Sequence, residues 1–296
     1  MDVPRLLLHR DIPAAQSLMA NTWSHLLKVQ TGLDISYPVR PASWYTARLS
    51  HEPNGCLCIE EGGKIVATGF CLSCGTVGWI GPMEVHPSYQ GRGYGSELLL
   101  SLETYLASTG CRAVGLETMK DVARNVSFYA QAGYTERNEM VYLEKSWLEG
   151  QDAGRPEEVH ADVREIRRLG GTIFPGFDPS KEFLIYEETK AGKALRTEGA
   201  MALLLTDPIP GSGKAYLRTL LSEGYQRIDE ALDLVQRAER EALWSGARSM
   251  FTIISEKSEL LPYLVRGGYR PKGVDLRMMK GSFNTSHDCY VMSWSG

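Results

Sequence analysis

No stretch of this 296-residue chain is apolar for the 18 or more residues that a membrane-spanning helix needs. Leu6-Leu7-Leu8 is too short to be the hydrophobic part of a secretory signal, so a cytoplasmic protein with no membrane partner is expected. Cysteine is scarce, with six residues, which excludes a disulfide scaffold. The Cys71/Cys74 pair has no second pair to complete a zinc site, so both read as buried strand thiols and no metal is expected. Nor is there an excess of positive charge: the formal net charge is −4, which gives no general attraction to nucleic acid. The Asn284-Thr285-Ser286 sequon lacks a secretory context and reads as chance. Two nucleotide motifs are also missing. Gly211-Ser212-Gly213-Lys214 has Pro208 where a Walker loop needs its first glycine and Ala215 where it needs Ser or Thr. Gly91 and Gly93 are followed by Ser96 where a Rossmann fingerprint needs its third glycine.

What is present is a strand, a glycine turn and a helix in immediate succession. The β-rich run Thr76–Val85 leads into Gly91, Gly93 and Gly95, and Leu98, Leu99, Leu102, Tyr105 and Leu106 then recur at helical spacing. Glycines allow positive φ and a close approach of backbone N–H groups to a ligand. A helix start adds unpaired donors and about half a positive charge. The segment reads as a cradle for an anion such as a phosphate.

Gln90-Gly91-Arg92-Gly93-Tyr94-Gly95, preceded by Val85-His86-Pro87, resembles the acyl-CoA signature Gln/Arg-x-x-Gly-x-Gly/Ala of the GNAT superfamily of N-acyltransferases. Downstream, the run from Asn125 through Tyr129 to Gly133-Tyr134 resembles a second GNAT segment, and Arg112–Glu117 between them reads as the next parallel strand. Arg10-Asp11-Ile12-Pro13 resembles the start of the family's first helix, with Asp11 as N-cap and Pro13 in the first turn. The resemblance covers residues 1 to about 147.

The chain also repeats itself. Gly110-Cys111-Arg112-Ala113 is echoed by Gly246-Ala247-Arg248-Ser249, and Phe128-Tyr129…Gly133-Tyr134 by Tyr263-Leu264…Gly268-Tyr269. Met140–Lys145 and Val274–Met279 end the two copies, and residues 149–158 have linker composition. The expected fold is mixed α/β. Two tandem GNAT-like domains are expected, residues 1–150 and 158–296, each a twisted, mostly antiparallel sheet with a splayed parallel central pair flanked by helices. In the second copy Gly91, Gly93 and Gly95 fall on Arg227, Asp229 and Ala231, and Asn125 falls on Leu260 or Leu261. Carboxylates at a helix start repel a pyrophosphate, so the second copy is expected to be degenerate and to serve as a scaffold, a homodimer interface or a wall of the acceptor pocket.

The resemblance implies an acetyl-CoA-dependent N-acetyltransferase acting by direct attack of an amine in a ternary complex. An amine with a pKa near 10 is only about a thousandth neutral at pH 7, so its proton must be removed, and the oxyanion and departing thiolate need donors. By resemblance, Met83 and Val85 offer backbone groups to the pantetheine arm, the Val85 N–H serves the oxyanion, and Tyr129 protonates the thiolate. Gln90, Gly91, Arg92, Gly93, Tyr94, Gly95, Ser96 and Asn125 hold the cofactor. Glu84 is the first candidate base, with His86 and Glu117 behind it. The acceptor segment, residues 14–49, carries Trp23, His25, Tyr37, Arg40, Trp44, Tyr45 and Arg48. A small-molecule amine is the expected acceptor, with a protein N-terminus or lysine, or a non-catalytic acyl-CoA sensor, as alternatives.

Overall fold

The structure, a computed structural model, describes residues 3–147, 160–223, 228–282 and 291–292. The linker at 149–158, Arg227 and the Asn284 sequon lie outside the described residues. The first half runs β1 (Arg5–Leu6), α1 (Ile12–Thr31), α2 (Ala42–His51), β2 (Cys56–Glu61), β3 (Lys64–Cys74), β4 (Val77–Val85), α3 (Tyr94–Ser108), β5 (Ala113–Met119), α4 (Ala123–Gln131) and β6 (Thr135–Ser146). The second runs α5 (Val163–Ile173), α6 (Ser180–Glu188), β7 (Gly192–Arg196), β8 (Ala200–Leu205), β9 (Lys214–Ser222), α7 (Ile228–Trp244), β10 (Ser249–Ser255), α8 (Leu261–Arg266), β11 (Arg270–Gly281) and β12 (Val291–Met292).

Both halves contribute to one sheet, in the order β1-β2-β3-β4-β5-β11-β6-β10-β9-β8-β7, with β12 on β9. The two copies meet by exchanging their last long strands. β11, from the second half, pairs with β5 of the first, while β6 pairs with β10 of the second. β6 and β11 also pair antiparallel with each other, Val274 opposite Val141 and Asp275 opposite Met140. The sequence repeat predicts two such strands but not that each sits in the other half's sheet.

The repeat is visible in conformation as well. Gly110 and Gly246 have φ of 91° and 84°, and Gly133 and Gly268 have 91° and 101°, each in the turn before a strand. On one face of the sheet a single core runs through both halves, from Ile12, Tyr45 and Trp79 to Phe183, Tyr216 and Met279. On the other face the halves keep separate cores, one under α3 around Leu98, Leu102 and Leu106, the other under α7 around Leu234 and Ala238. Ion pairing reinforces the shared side: Lys181 of α6 reaches Glu52 at 2.7 Å and Ser73 Oγ at 2.6 Å. Cys71 and Cys74 are buried free thiols of β3.

Asp11 stands at the N-cap of α1, but its carboxylate does not bond the helix amides. It accepts from Arg5 at 2.6 Å and from the Leu8 N–H at 2.9 Å, closing the short turn that precedes the helix. The nearby guanidinium satisfies the carboxylate first and holds it below the usual aspartate range.

Candidate active site

The site lies at a fork between β4 and β5. These parallel strands pair only from Val77–Ala113 to Trp79–Gly115, and beyond that rung β4 keeps its partner β3 and β5 takes β11. A bulge between Ile80 and Met83 resets the alternation of β4. Ile80 faces the α3 core and Trp79 the shared core. After the bulge Met83 and Val85 return to the α3 side, and Glu84 is buried on the side of α1 and α2.

The ladder also directs the main chain. The His86 N–H donates to Val66 O at 2.9 Å, while Val85 stands opposite Ala67 and Met83 opposite Gly69. In an antiparallel pair, alternate residues turn their N–H and C=O groups away from the partner strand. Those of Met83 and Val85 therefore point into the fork. The Val85 carbonyl accepts from Gln90 Nε2 at 3.0 Å, so the Gln90 side chain braces the strand end rather than reaching outward.

Next comes the glycine cradle. Gly91 and Gly93 have φ of 78° and 88°, left-handed values that disfavour a Cβ, and Gly93 is the N-cap of α3. Ser96 and Glu97 already donate to Gly93 O. No protein acceptor takes the backbone N–H groups of Gly91, Arg92, Gly93 or Gly95 among the described residues. The Arg92 side chain folds back over the Tyr89 ring (4.7 Å) and donates to Ser88 O, while the buried Tyr94 bonds Glu61. In this state only their main chains are turned to a ligand. These donors, the helix start and the open space around Gly91 fit a pyrophosphate.

Asn125 and Tyr129 lie four residues apart on one face of α4, and the helix neighbours the cradle through Phe128: a Cβ on Gly95 would stand 3.5 Å from its ring. No residue of α4 is fully buried despite its apolar face, because that face looks onto the fork. Neither the Asn125 amide nor the Tyr129 hydroxyl has a hydrogen-bond partner among the described residues. Burial, with the Glu84 charge adding to it, pushes the Tyr129 phenol up to about 12. It is therefore fully protonated at neutral pH.

On the opposite side of the fork lies a charged and aromatic wall. Glu84 accepts from Arg40 Nη1 at 3.2 Å and from Thr68 Oγ1 at 2.8 Å. The Arg40 guanidinium lies 4.6 Å from the Trp44 ring and donates weakly to the Tyr45 hydroxyl at 3.4 Å. Trp23 stacks on Tyr37 at 5.4 Å, and the loop holding Tyr37 is fixed to α1 by its N–H to Ser24 Oγ at 2.8 Å. His86, by contrast, turns to its own loop and accepts from the Ser88 N–H at 3.2 Å. Glu117 of β5 accepts from Arg277 at 2.7 Å, and that guanidinium sits 5.2 Å from the Trp79 ring. Arg277 and its neighbour Asp275 belong to β11, and sequence reasoning missed both. The only signal was that the run Val274–Met279, charged and strand-like, echoed Met140–Lys145.

The second half has a matching fork. β9 and β10 pair in parallel from Lys214–Ser249 to Leu217–Thr252 and then part. Here β12 takes up the free edge of β9, Met292 opposite Thr219 and Val291 opposite Leu220. At the start of α7, Asp229 is exposed, Ala231 is buried, and Glu230 accepts from the Gly199 N–H and Thr197 Oγ1. Leu260 and Leu264 are buried core residues. Chemically, the second fork has carboxylates where the first has a cradle, and Leu264 stands at the position that corresponds to Tyr129.

A family profile described as "Acetyltransferase (GNAT) family" matches residues 21–134. An acetyltransferase of Sodalis glossinidius is 30% identical over 108 residues, covering 36% of this chain and 74% of that protein. Over the full length, an acetyltransferase candidate from Pyrococcus horikoshii superposes with a TM-score of 0.73 at 18% identity, covering 99% of this chain and 94% of that one. A tandem GNAT protein from the clavulanic acid biosynthesis pathway gives 0.58 at 12% identity, covering 95% and 98%. At these identities the two solved structures establish the fold.

Proposed function

Since the chain belongs to the GNAT family of acetyltransferases, we propose that its first half transfers an acetyl group from acetyl-CoA to the amine of a small molecule. One arrangement supports this reading: the fork leads into the glycine cradle, Tyr129 packs in the same cluster as Met83 and Val85, and the N–H groups of Met83 and Val85 turn into the fork. The cradle from Gly91 to Ser96 holds the pyrophosphate through main-chain donors, and the Asn125 amide bonds the pantetheine arm. When bound, acetyl-CoA supplies an acetyl group activated as a thioester. The Val85 N–H lies on the side where negative charge grows on the carbonyl oxygen, and a fixed donor there strengthens as that charge develops. Tyr129, protonated and with no hydrogen-bond partner for its hydroxyl among the described residues, gives its proton to the leaving sulfur, whose parent thiol has a pKa near 8.5.

Glu84 stays on the acceptor side, where Arg40 and Thr68 fix it, and we assign it to orienting the incoming nitrogen. The Trp23–Tyr37 stack and Arg40 over Trp44 form walls suited to a compact acceptor with a flat or apolar body. An acyl-CoA sensor would need the cradle but has no use for a protonated phenol at the fork.

Tyr129→Phe is the test, read by thiol release and by calorimetric titration with acetyl-CoA. The expected outcome is a fall in turnover of about 10²- to 10⁴-fold with acetyl-CoA affinity within a few-fold of the original. Unchanged turnover would remove Tyr129 from the chemistry. Absence of acetyl-CoA binding by the unaltered protein would overturn the whole reading.

A further inference from the structure

Strand exchange places β11 of the second half beside β5, the strand that forms one side of the first half's fork, and its Arg277 side chain reaches past β5 to the Trp79 ring of β4. Arg277 stands opposite Glu117, two residue pairs beyond the Trp79–Gly115 rung where β4 and β5 part. Two residues further toward the open end, on the same face of β11, stands Asp275, opposite Met119 of β5 and Met140 of β6. On the same face, Glu84 and Glu117 already serve arginines. The half-buried Asp275 carboxylate has no hydrogen bond or ion pair among the described residues.

We propose that Asp275, contributed by the second half, takes the proton from the acceptor amine in the first half's active site. The inference rests on the acyl-transfer reading above. In the balanced step, the acceptor ammonium passes one proton to the Asp275 carboxylate and its nitrogen lone pair forms the C–N bond. The C–S bond then breaks, and the sulfur takes the proton of Tyr129, which the second nitrogen proton replaces. Asp275 returns its proton to water.

The surroundings suit the task. Glu117 on β5 and Arg277 on Asp275's own strand are charged neighbours on this face, its strand partners Met119 and Met140 are apolar, and the Glu84–Arg40 pair lies on β4's side of the fork. Burial first, and the Glu117 charge second, push the Asp275 carboxyl up to about 7. A base poised near neutrality combines a large ionised fraction with a strong pull on the proton.

Asp275→Asn, nearly isosteric, tests this in the full chain, with tryptamine as the probe amine and with hydrolysis as a second assay in which water is the nucleophile. In the unaltered protein kcat/KM should rise through an inflection near pH 7, because the base works only when ionised. The variant should lose about 100-fold or more and lose that inflection, with acetyl-CoA affinity and thermal midpoint unchanged. Asp275→Glu should restore a displaced inflection, which a merely structural role would not do. Acetyl-CoA binding in both proteins with equal turnover and the same inflection would overturn the assignment of Asp275 alone. Failure of both to bind acetyl-CoA would overturn the acyl-transfer reading, and this proposal with it.

Discussion

The molecule contains the same fork twice, and the two copies differ in what meets the open edge. Between β4 and β5 the edge is left to the ends of Met83 and Val85, beside a glycine cradle and a phenol. Between β9 and β10 the chain's own β12 pairs with the edge, a carboxylate binds the loop at the helix start, and leucine stands where the tyrosine would be. Unpaired strand edges and helix starts are costly to leave without partners. The first half leaves that capacity without a protein partner among the described residues, whereas the second half satisfies it internally. Even the buried ion pairs follow this division. Arg218–Glu182, both fully buried, joins β9 to α6 within the second half, whereas Arg277–Glu117 is shared between halves at the working fork.

The largest expected effect comes from writing the second cradle into the first. Gly93→Asp, copying Asp229, places a Cβ at φ 88° and a negative charge at the start of α3. Calorimetric titration should then show no acetyl-CoA binding, whereas the unaltered chain should bind one equivalent. Retained binding would mean that the phosphates lie elsewhere. Next in size is Arg277→Met, which takes the guanidinium away from the buried Glu117 carboxylate. A loss of about 3–5 kcal/mol in denaturant unfolding is expected, and the double change Arg277→Met with Glu117→Leu should recover most of it. A single change costing under 1 kcal/mol would show that the two halves are not joined through this pair. The smallest expected effect is none at all. Asp229→Gly restores one cradle residue to the second half, but the fork edge is still paired with β12 and no phenol is restored. The stoichiometry of acetyl-CoA should remain one per chain, and a second equivalent would erase the contrast between the forks.

Much of the first fork is legible in local sequence because its parts are local. Glycines at 91 and 93 are required where φ is positive, and Leu98, Leu99, Leu102 and Leu106 show at helical spacing which face of α3 is buried. Asn125 and Tyr129 are set on one helix face by their spacing alone. The side-chain partners of Gln90, Arg92 and Asp11 were not legible. Each could reach a ligand, a helix end or a neighbouring loop, and the nearest fixed partner won: Val85 O, Ser88 O and the Arg5 guanidinium respectively. Glu84 shows the limit of alternation. Period two places it opposite to Met83 and Val85, but only the packing of α1 and α2 reveals that its side is a buried wall rather than solvent.

By itself, then, the sequence determined the family, the repeat, the cradle and the loss of that cradle in the second copy. All of these depend on residues close together in the chain, where backbone dihedrals and side-chain spacing act directly. The tertiary structure alone decided the exchange of β6 and β11, the clamp of Arg277 on Glu117 and the placement of Asp275 opposite Met119 of β5. Strand order is set by which edges find partners once both halves are folded, and a strand's own residues fit a pleated sheet equally well beside either neighbour.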